Sequence, residues 1–298
     1  MTGGADREGA GRDGEAAPHG LDPLAADLRT GDADRFYTAM FAAEAPRKRL
    51  LALYAFNLEV ARTRERVSEP MLGQIRLQWW REALDELARG QVRNHPVCHA
   101  LRDWFGGAVP PEVRAGMEAI LTARELDLED SPFATTESFT GYAATTGGTL
   151  LELGLQATGM ADRGIEPVAR HVGTAYAITG LIRAIPFAGT VGRVLVPQEV
   201  LVAVGANDGA ARRDPERMRA AVRELADLAA GELDAARAAA RGVRIRGGAR
   251  PVLLHRTLAQ MYLDRIRRAG HDLSSPRLDP DNFARISRLL LRNFLRRY

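Results

Sequence analysis

The chain lacks most of the features that assign a protein at a glance. Cys98 is its single cysteine, which excludes an intramolecular disulfide and fits a reducing compartment. Lys48 is its single lysine among 41 basic side chains, a preference for arginine that reads as codon bias and says little about function. No run of about 18 apolar residues occurs, which excludes an ordinary transmembrane helix. Aromatic residues make up 6% of the chain, and none are interleaved with basic ones in a nucleic-acid-binding motif. The net charge of +3 and pI near 9.3 suit an anionic ligand or membrane surface but are too weak to argue for nucleic acid. Residues 1–20 have no basic start and no apolar centre, so they do not read as a secretory signal. Asp6, Glu8, Asp13 and Glu15 argue against a transit peptide. The segment is rich in glycine and acidic residues and is expected to be a disordered tail, with one domain over 21–298. A bacterial cytoplasm is the simplest setting.

What the chain does have is helix-forming sequence. From Asp32 onward Ala, Leu, Arg and Glu dominate, and alternation of β-branched residues is nearly absent. Helices are expected over about 33–42, 46–66, 70–89, 97–105, 111–127, 136–158, 165–185, 215–241, 252–269 and 281–297. Loops are expected around Pro46, Pro70, Pro110–Pro111, Pro132, Pro167 and Pro197, and the stretch 241–250 reads as an exposed connection. The expectation is an all-α fold in a single domain.

The stretch 173–197, GTAYAITGLIRAIPFAGTVGRVLVP, organises the rest. Val172, Ala175, Tyr176, Thr179, Ile182 and Arg183 recur at helical steps on one face. Pro186 removes a backbone donor and disfavours the α conformation at Ile185, so the helix should end or kink there. Arg183 lies at the deep end of this face. A guanidinium keeps its charge when buried, so it needs an anionic partner or ligand.

This stretch resembles the second signature of the squalene/phytoene synthase family, whose enzymes join two isoprenoid diphosphates head to head. Gly173, Ala175, Thr179, Arg183, Gly192, Arg193, Val194 and Pro197 fall in its frame. The signature's two aspartates are replaced by Ala184 and Ala188. Residues 50–66, LLALYAFNLEVARTRER, are similar to the first signature and keep its lead-in as Leu53, Tyr54, Ala55 and Phe56. Its three aspartate places hold Ala61, Arg62 and Glu65. The resemblance implies a single-domain helical fold around a central pocket, spanning about residues 32–291. It also implies what has been lost. Carboxylates four apart on facing helices would hold magnesium, which neutralises a diphosphate and helps it leave. A Ser-Phe dipeptide that helps bind a diphosphate in the family is Arg35-Phe36 here, and a family arginine corresponds to Leu58. Trp79-Trp80-Arg81, His95-Pro96-Val97, Tyr142, Gly148, Tyr262, Ile266 and Arg277 are retained.

One branch of the family is similar in its departures too. The mitochondrial complex I assembly factor and its bacterial relatives keep the string here read as Arg183-Ala184-Ile185-Pro186-Phe187, and Ser68-Glu69-Pro70 before Arg76. That resemblance implies a non-catalytic helper in respiratory complex I assembly, with complex subunits as partners, no cofactor, and a place in the cytoplasm or peripherally on the inner face of the plasma membrane. Its pocket residues would be Tyr54, Phe56, Glu65, Tyr142, Tyr176, Arg183, Arg193 and Arg277, with an isoprenoid diphosphate or anionic lipid as ligand. The alternative is an active head-to-head prenyltransferase using magnesium through Glu65 and unconventional ligands. Glu65 and Glu69 form an i,i+4 pair that could substitute as a metal site, although exposed charge on a terminal turn explains it as well.

Other strings have competing readings. His95, Cys98 and His99 could bind a metal, but no fourth ligand stands at zinc-finger spacing and Pro96 opening a helix explains them. Gly147-Gly148 fits close helix packing better than a phosphate loop, because no strand precedes it. Trp79 and Trp80 cannot be equally buried on one helix face. The final segment, FARISRLLLRNFLRRY, could lie on an anionic membrane surface or be an ordinary last helix with solvated arginines.

Overall fold

The computed structural model describes residues 23–67, 69–275, 278 and 282–295. The expected tail, residues 1–20, lies outside them, as does Arg277. Among the described residues the chain is all-helical and holds no strand. The helices are α1 (Pro23–Gly31), α2 (Ala33–Ala39), α3 (Glu44–Ala61), α4 (Pro70–Ala88), α5 (Pro96–Phe105), α6 (Pro111–Arg124), α7 (Thr136–Ala143), α8 (Thr149–Thr158), α9 (Glu166–Thr190), α10 (Gln198–Ala203), α11 (Pro215–Ala239), α12 (Arg250–Leu253), α13 (His255–Arg268) and α14 (Asn282–Phe294). No described helix is long and apolar enough to cross a membrane.

Most of these helices carry one apolar stripe, and the stripes converge on two cores. The first joins α1, α3, α4, α5, α6 and α8 around Leu53, Phe56, Leu77 and Trp80. The second joins α7, α9, α10, α11 and α13 around Phe139, Ile178, Leu225 and Leu263. α9 packs against α8, α11 and α13 and so runs through the middle of the molecule. A smaller group, Leu254, Leu258, Met261, Tyr262 and Leu289, fastens α14 onto α13.

Glycine sets the closest approach. The helix expected over 136–158 is interrupted by a π-helical stretch, Ala144–Gly148, and there α9 comes in tightly. A Cβ on Gly147 would sit against the Gly173 carbonyl oxygen, and one on Gly173 against that of Gly147. The two glycines therefore serve packing, as expected, and the π-turn gives the helix the bend that lets the backbones meet.

Two helix ends and two short helices differ from the sequence reading. α9 runs on through Pro186 to Thr190. Pro186 is exposed and lies in the last two turns, where losing one hydrogen bond is tolerable, and Gly192, at φ +78°, makes the turn instead. α3 stops at Ala61, not 66, so Glu65 falls on a separate short turn, Arg64–Arg66. Helices α1 and α10 were not anticipated, each being less than three turns long and opened by or preceded by a proline.

Candidate functional site

The interior polar site is built where α2, α3, α9, α13 and α14 meet. Its centre is Asp34, in the first turn of α2, which is only 6% exposed. The hydroxyl of Tyr262 donates to Asp34 Oδ2 at 2.6 Å and that of Tyr176 at 3.0 Å. Nε of Arg285, on α14, forms an ion pair with Oδ1 at 2.9 Å. Arg183 stacks on the Tyr262 ring, its guanidinium carbon 3.9 Å from the centroid. Arg183 thus lies on the phenol that donates to Asp34, so that carboxylate stands one side chain away from it.

Arg35, at the Ser-to-Arg position, lies beside this centre. Burial opposes its charge, but the carboxylate of Asp32 overcomes that and holds the guanidinium firmly protonated. Its guanidinium also lies over the Tyr176 ring, at 5.1 Å. His255 is fully buried with its ring edge-on to both Tyr54 and Tyr176, and its Nδ1 contacts the Val252 carbonyl oxygen at 2.8 Å. Burial, helped by the Arg35 charge, pushes the His255 pKa down to about 4, so the ring is neutral near pH 7. Burial likewise pushes the Tyr54 and Tyr176 hydroxyls up, with the Asp34 charge adding to the rise at Tyr176, so neither phenol is a base near neutral pH.

Tyr142 belongs to an adjoining cluster. It donates to Asp127 Oδ1 at 2.7 Å and accepts from Arg124 Nη1 at 2.8 Å. Arg193 lies near enough to act on its hydroxyl and donates from Nε to the Glu129 carbonyl oxygen at 3.3 Å. Arg124 and Arg35 feel each other's charge, so the two clusters adjoin. Tyr54 and Tyr176 thus meet at His255, with Arg183 on the neighbouring Tyr262, whereas Tyr142 and Arg193 belong to the Arg124–Asp127 side. Phe56 and Glu65 are placed apart from both. Phe56 meets Trp80 edge-on at 5.5 Å in the first core, and Glu65 is exposed on its turn. Trp80 is the buried member of the tryptophan pair, while Trp79 is partly exposed beneath Arg93.

A magnesium cluster finds no fitting donors here. Arg62 turns away to α1, where Nη1 contacts Asp27 at 3.2 Å, and a Cβ on Gly31 would collide with it. The buried carboxylate of this region, Glu59, is clamped by Arg66 and Arg76 at 2.6 Å each. On α9 the corresponding side chains are the methyls of Ala184 and Ala188. The Glu65–Glu69 pair does not share a helix face, because Glu69 lies in extended backbone before α4. Among the described residues no three His, Cys, Asp or Glu side chains gather as metal ligands. His95 caps α5, its Nδ1 accepting from Val97 N–H, and Cys98 is buried with its pKa pushed up by burial to about 11.

Sequence reasoning missed Asp34, Asp32, Arg124, Asp127, His255 and Arg285. The only advance signal was Arg35 at the position of a lost hydroxyl, since a buried cation so close to two aspartates implies a pairing.

Residues 28–284 match the model of the squalene/phytoene synthase family. The chain is 29% identical over 274 residues to the mouse NADH dehydrogenase (ubiquinone) complex I, assembly factor 6, covering 91% of this chain and 81% of that protein. It is 26% identical to the human protein of that name, covering 86% and 76%. Among solved structures, a dehydrosqualene synthase in complex with ligand superposes with a TM-score of 0.77 at 18% identity, covering 92% of this chain and 96% of that one. A squalene synthase, HpnC, from Alicyclobacillus acidocaldarius superposes at 0.69 and 21% identity, covering 84% and 93%.

Proposed function

Because this chain belongs to the squalene/phytoene synthase family, we propose that it has left catalysis and serves as a helper in assembling respiratory complex I. The observation that carries the reading is the fate of the carboxylate positions on α3 and α9. Arg62 is engaged with Asp27, the nearby Glu59 is held by two arginines, and Ala184 and Ala188 offer no oxygen at all. Diphosphate departure needs charge neutralised at the leaving group, and of these positions Glu65 alone keeps a carboxylate, exposed on a separate turn, so no pair is left to hold the ion that would do it. The similarity to proteins named as complex I assembly factors, extending over most of the chain, supports the same reading.

The interior carboxylates also already have partners in the chain. Asp34 already takes Tyr176, Tyr262 and Arg285, and Asp32 takes Arg35. An isoprenoid or anionic lipid headgroup entering between Arg183 and Arg193 would have to compete with these internal carboxylates. We place the protein in the cytoplasm, acting at the inner face of the membrane that holds the complex.

Two measurements on the full chain test the proposal. Supplied with magnesium and farnesyl or geranylgeranyl diphosphate, the purified protein is expected to release no diphosphate. Deleting its gene is expected to deplete mature complex I on native gels, and a copy carrying Glu65→Ala is expected to restore it. Turnover that Glu65→Ala abolishes would overturn the proposal in favour of an active prenyltransferase.

A further inference from the structure

The outer face of α13 forms a second site, unconnected with the interior. A cleft of about 500 Å³ opens between α11, α13 and α14. Arg237 enters it from the end of α11, Arg256 from α13, and Arg288 and Arg292 from α14. The acidic group on its wall is Asp264, which accepts from Gln260 Nε2 at 2.8 Å. Among the described residues Arg288 and Arg292 are exposed and have no ion-pair partner. Arg237 also pairs with Asp234 on its own helix, so the guanidinium forks offered to a ligand are those of Arg288 and Arg292, four apart on α14, which match the oxygens of a phosphate group.

A second observation says what carries that phosphate. α14 presents three different faces. Arg285 and Leu289 point inward, while Arg288, Leu291 and Arg292 border the cleft. Phe283, Leu290 and Phe294, at spacings of seven and four, form an outward stripe at 81%, 54% and 83% exposure. Large apolar side chains standing beside a cationic cleft reproduce the boundary between headgroups and acyl chains in a bilayer.

We propose that this cleft binds the phosphate of an anionic phospholipid headgroup, with the Phe283–Leu290–Phe294 stripe entering the acyl region beside it. The inference goes beyond the assembly role and does not depend on it, because vesicle binding and complex I assembly are read separately.

Co-sedimentation of the full chain with vesicles tests it. Binding is expected to vesicles containing about one-third phosphatidylglycerol and not to pure phosphatidylcholine, and to weaken as salt rises. Each basic residue near an anionic surface strengthens binding roughly five-fold, so Arg288→Glu/Arg292→Glu is expected to lower the partition more than ten-fold. Arg212→Glu/Arg213→Glu, at the opposite end of α11, makes the same change in net charge and is expected to have little effect. Leu290→Ser/Phe294→Ser should weaken binding as well, and circular dichroism checks that every variant stays folded. Equal losses in both arginine pairs would show a diffuse charge effect and overturn the site. Protection of the cleft by soluble glycerol phosphate, without vesicle binding, would overturn the lipid assignment.

Discussion

α3 and α9 carry the two family signatures, and they lost their carboxylates in different ways. On α3 the region was re-employed: Arg62 fastens α1, and Glu59 gathers Arg66 and Arg76. On α9 it was vacated, leaving Ala184, Ala188 and an exposed Pro186. A vacated position can be refilled without breaking an existing ion pair, although at Ala188 a new side chain would enter the buried second core. A re-employed one cannot, because its new partners now depend on it. The residues at the altered α3 positions have thus become part of the stability of the fold, whereas those on α9 have not.

Glu59→Ala should break this comparison most sharply. It removes two hydrogen bonds between charged groups, at about 1.5 kcal/mol each, although Arg66 and Arg76 stay partly solvated, so the loss is expected to be about 3 kcal/mol. A fall of that order in unfolding free energy, read from denaturant midpoints, is expected. An effect below about 1 kcal/mol, the level of exposed pairs, would show that α3 was vacated too.

His255 comes next, because its ring bridges the two helices between Tyr54 and Tyr176. Its pKa is about 4 folded and 6.5 unfolded, so the unfolded chain binds the extra proton first as pH falls. Stability from this group is complete above pH 6.5 and is lost on acidification towards pH 4, by about 3 kcal/mol in full. Denaturation at neutral pH and at about pH 4.5 should show this slope in the wild type and a shallower one in His255→Gln.

Arg62→Ala is expected to cost about 1 kcal/mol, since Asp27 is half exposed and water screens the pair. Its effect should appear as faster amide exchange in α1. The smallest expected effect is that of Ala184→Asp/Ala188→Asp on turnover. Refilling α9 alone should give no magnesium-dependent diphosphate release, because α3 presents no carboxylate pair to face it.

The sequence made the helical framework readable because amphipathic spacing and proline punctuation are local signals. Gly147-Gly148 was readable as packing because no strand precedes it, but its partner Gly173 was not. Pro186 misled because the cost of an interior proline depends on how near the helix end lies, and the turn at Gly192 settled that. Arg183 was readable as needing an anion, but the identity of that anion was not. An aspartate in a first helical turn ordinarily reads as a complement to the helix dipole. What buries Asp34 comes from Tyr176, Tyr262 and Arg285, all far along the chain. No spacing rule spans such separations.

The same pairing has a consequence for synthesis. Asp34 and Arg285 are separated by roughly 250 residues, so the first leaves the ribosome long before the second. Until α14 emerges, the Asp34 carboxylate has its two phenols but lacks its ion-pair partner Arg285. Closing so distant a contact is slow, and unfinished chains of this size expose surface that aggregates. Asp34 therefore gains its full set of partners only after α14 has been made.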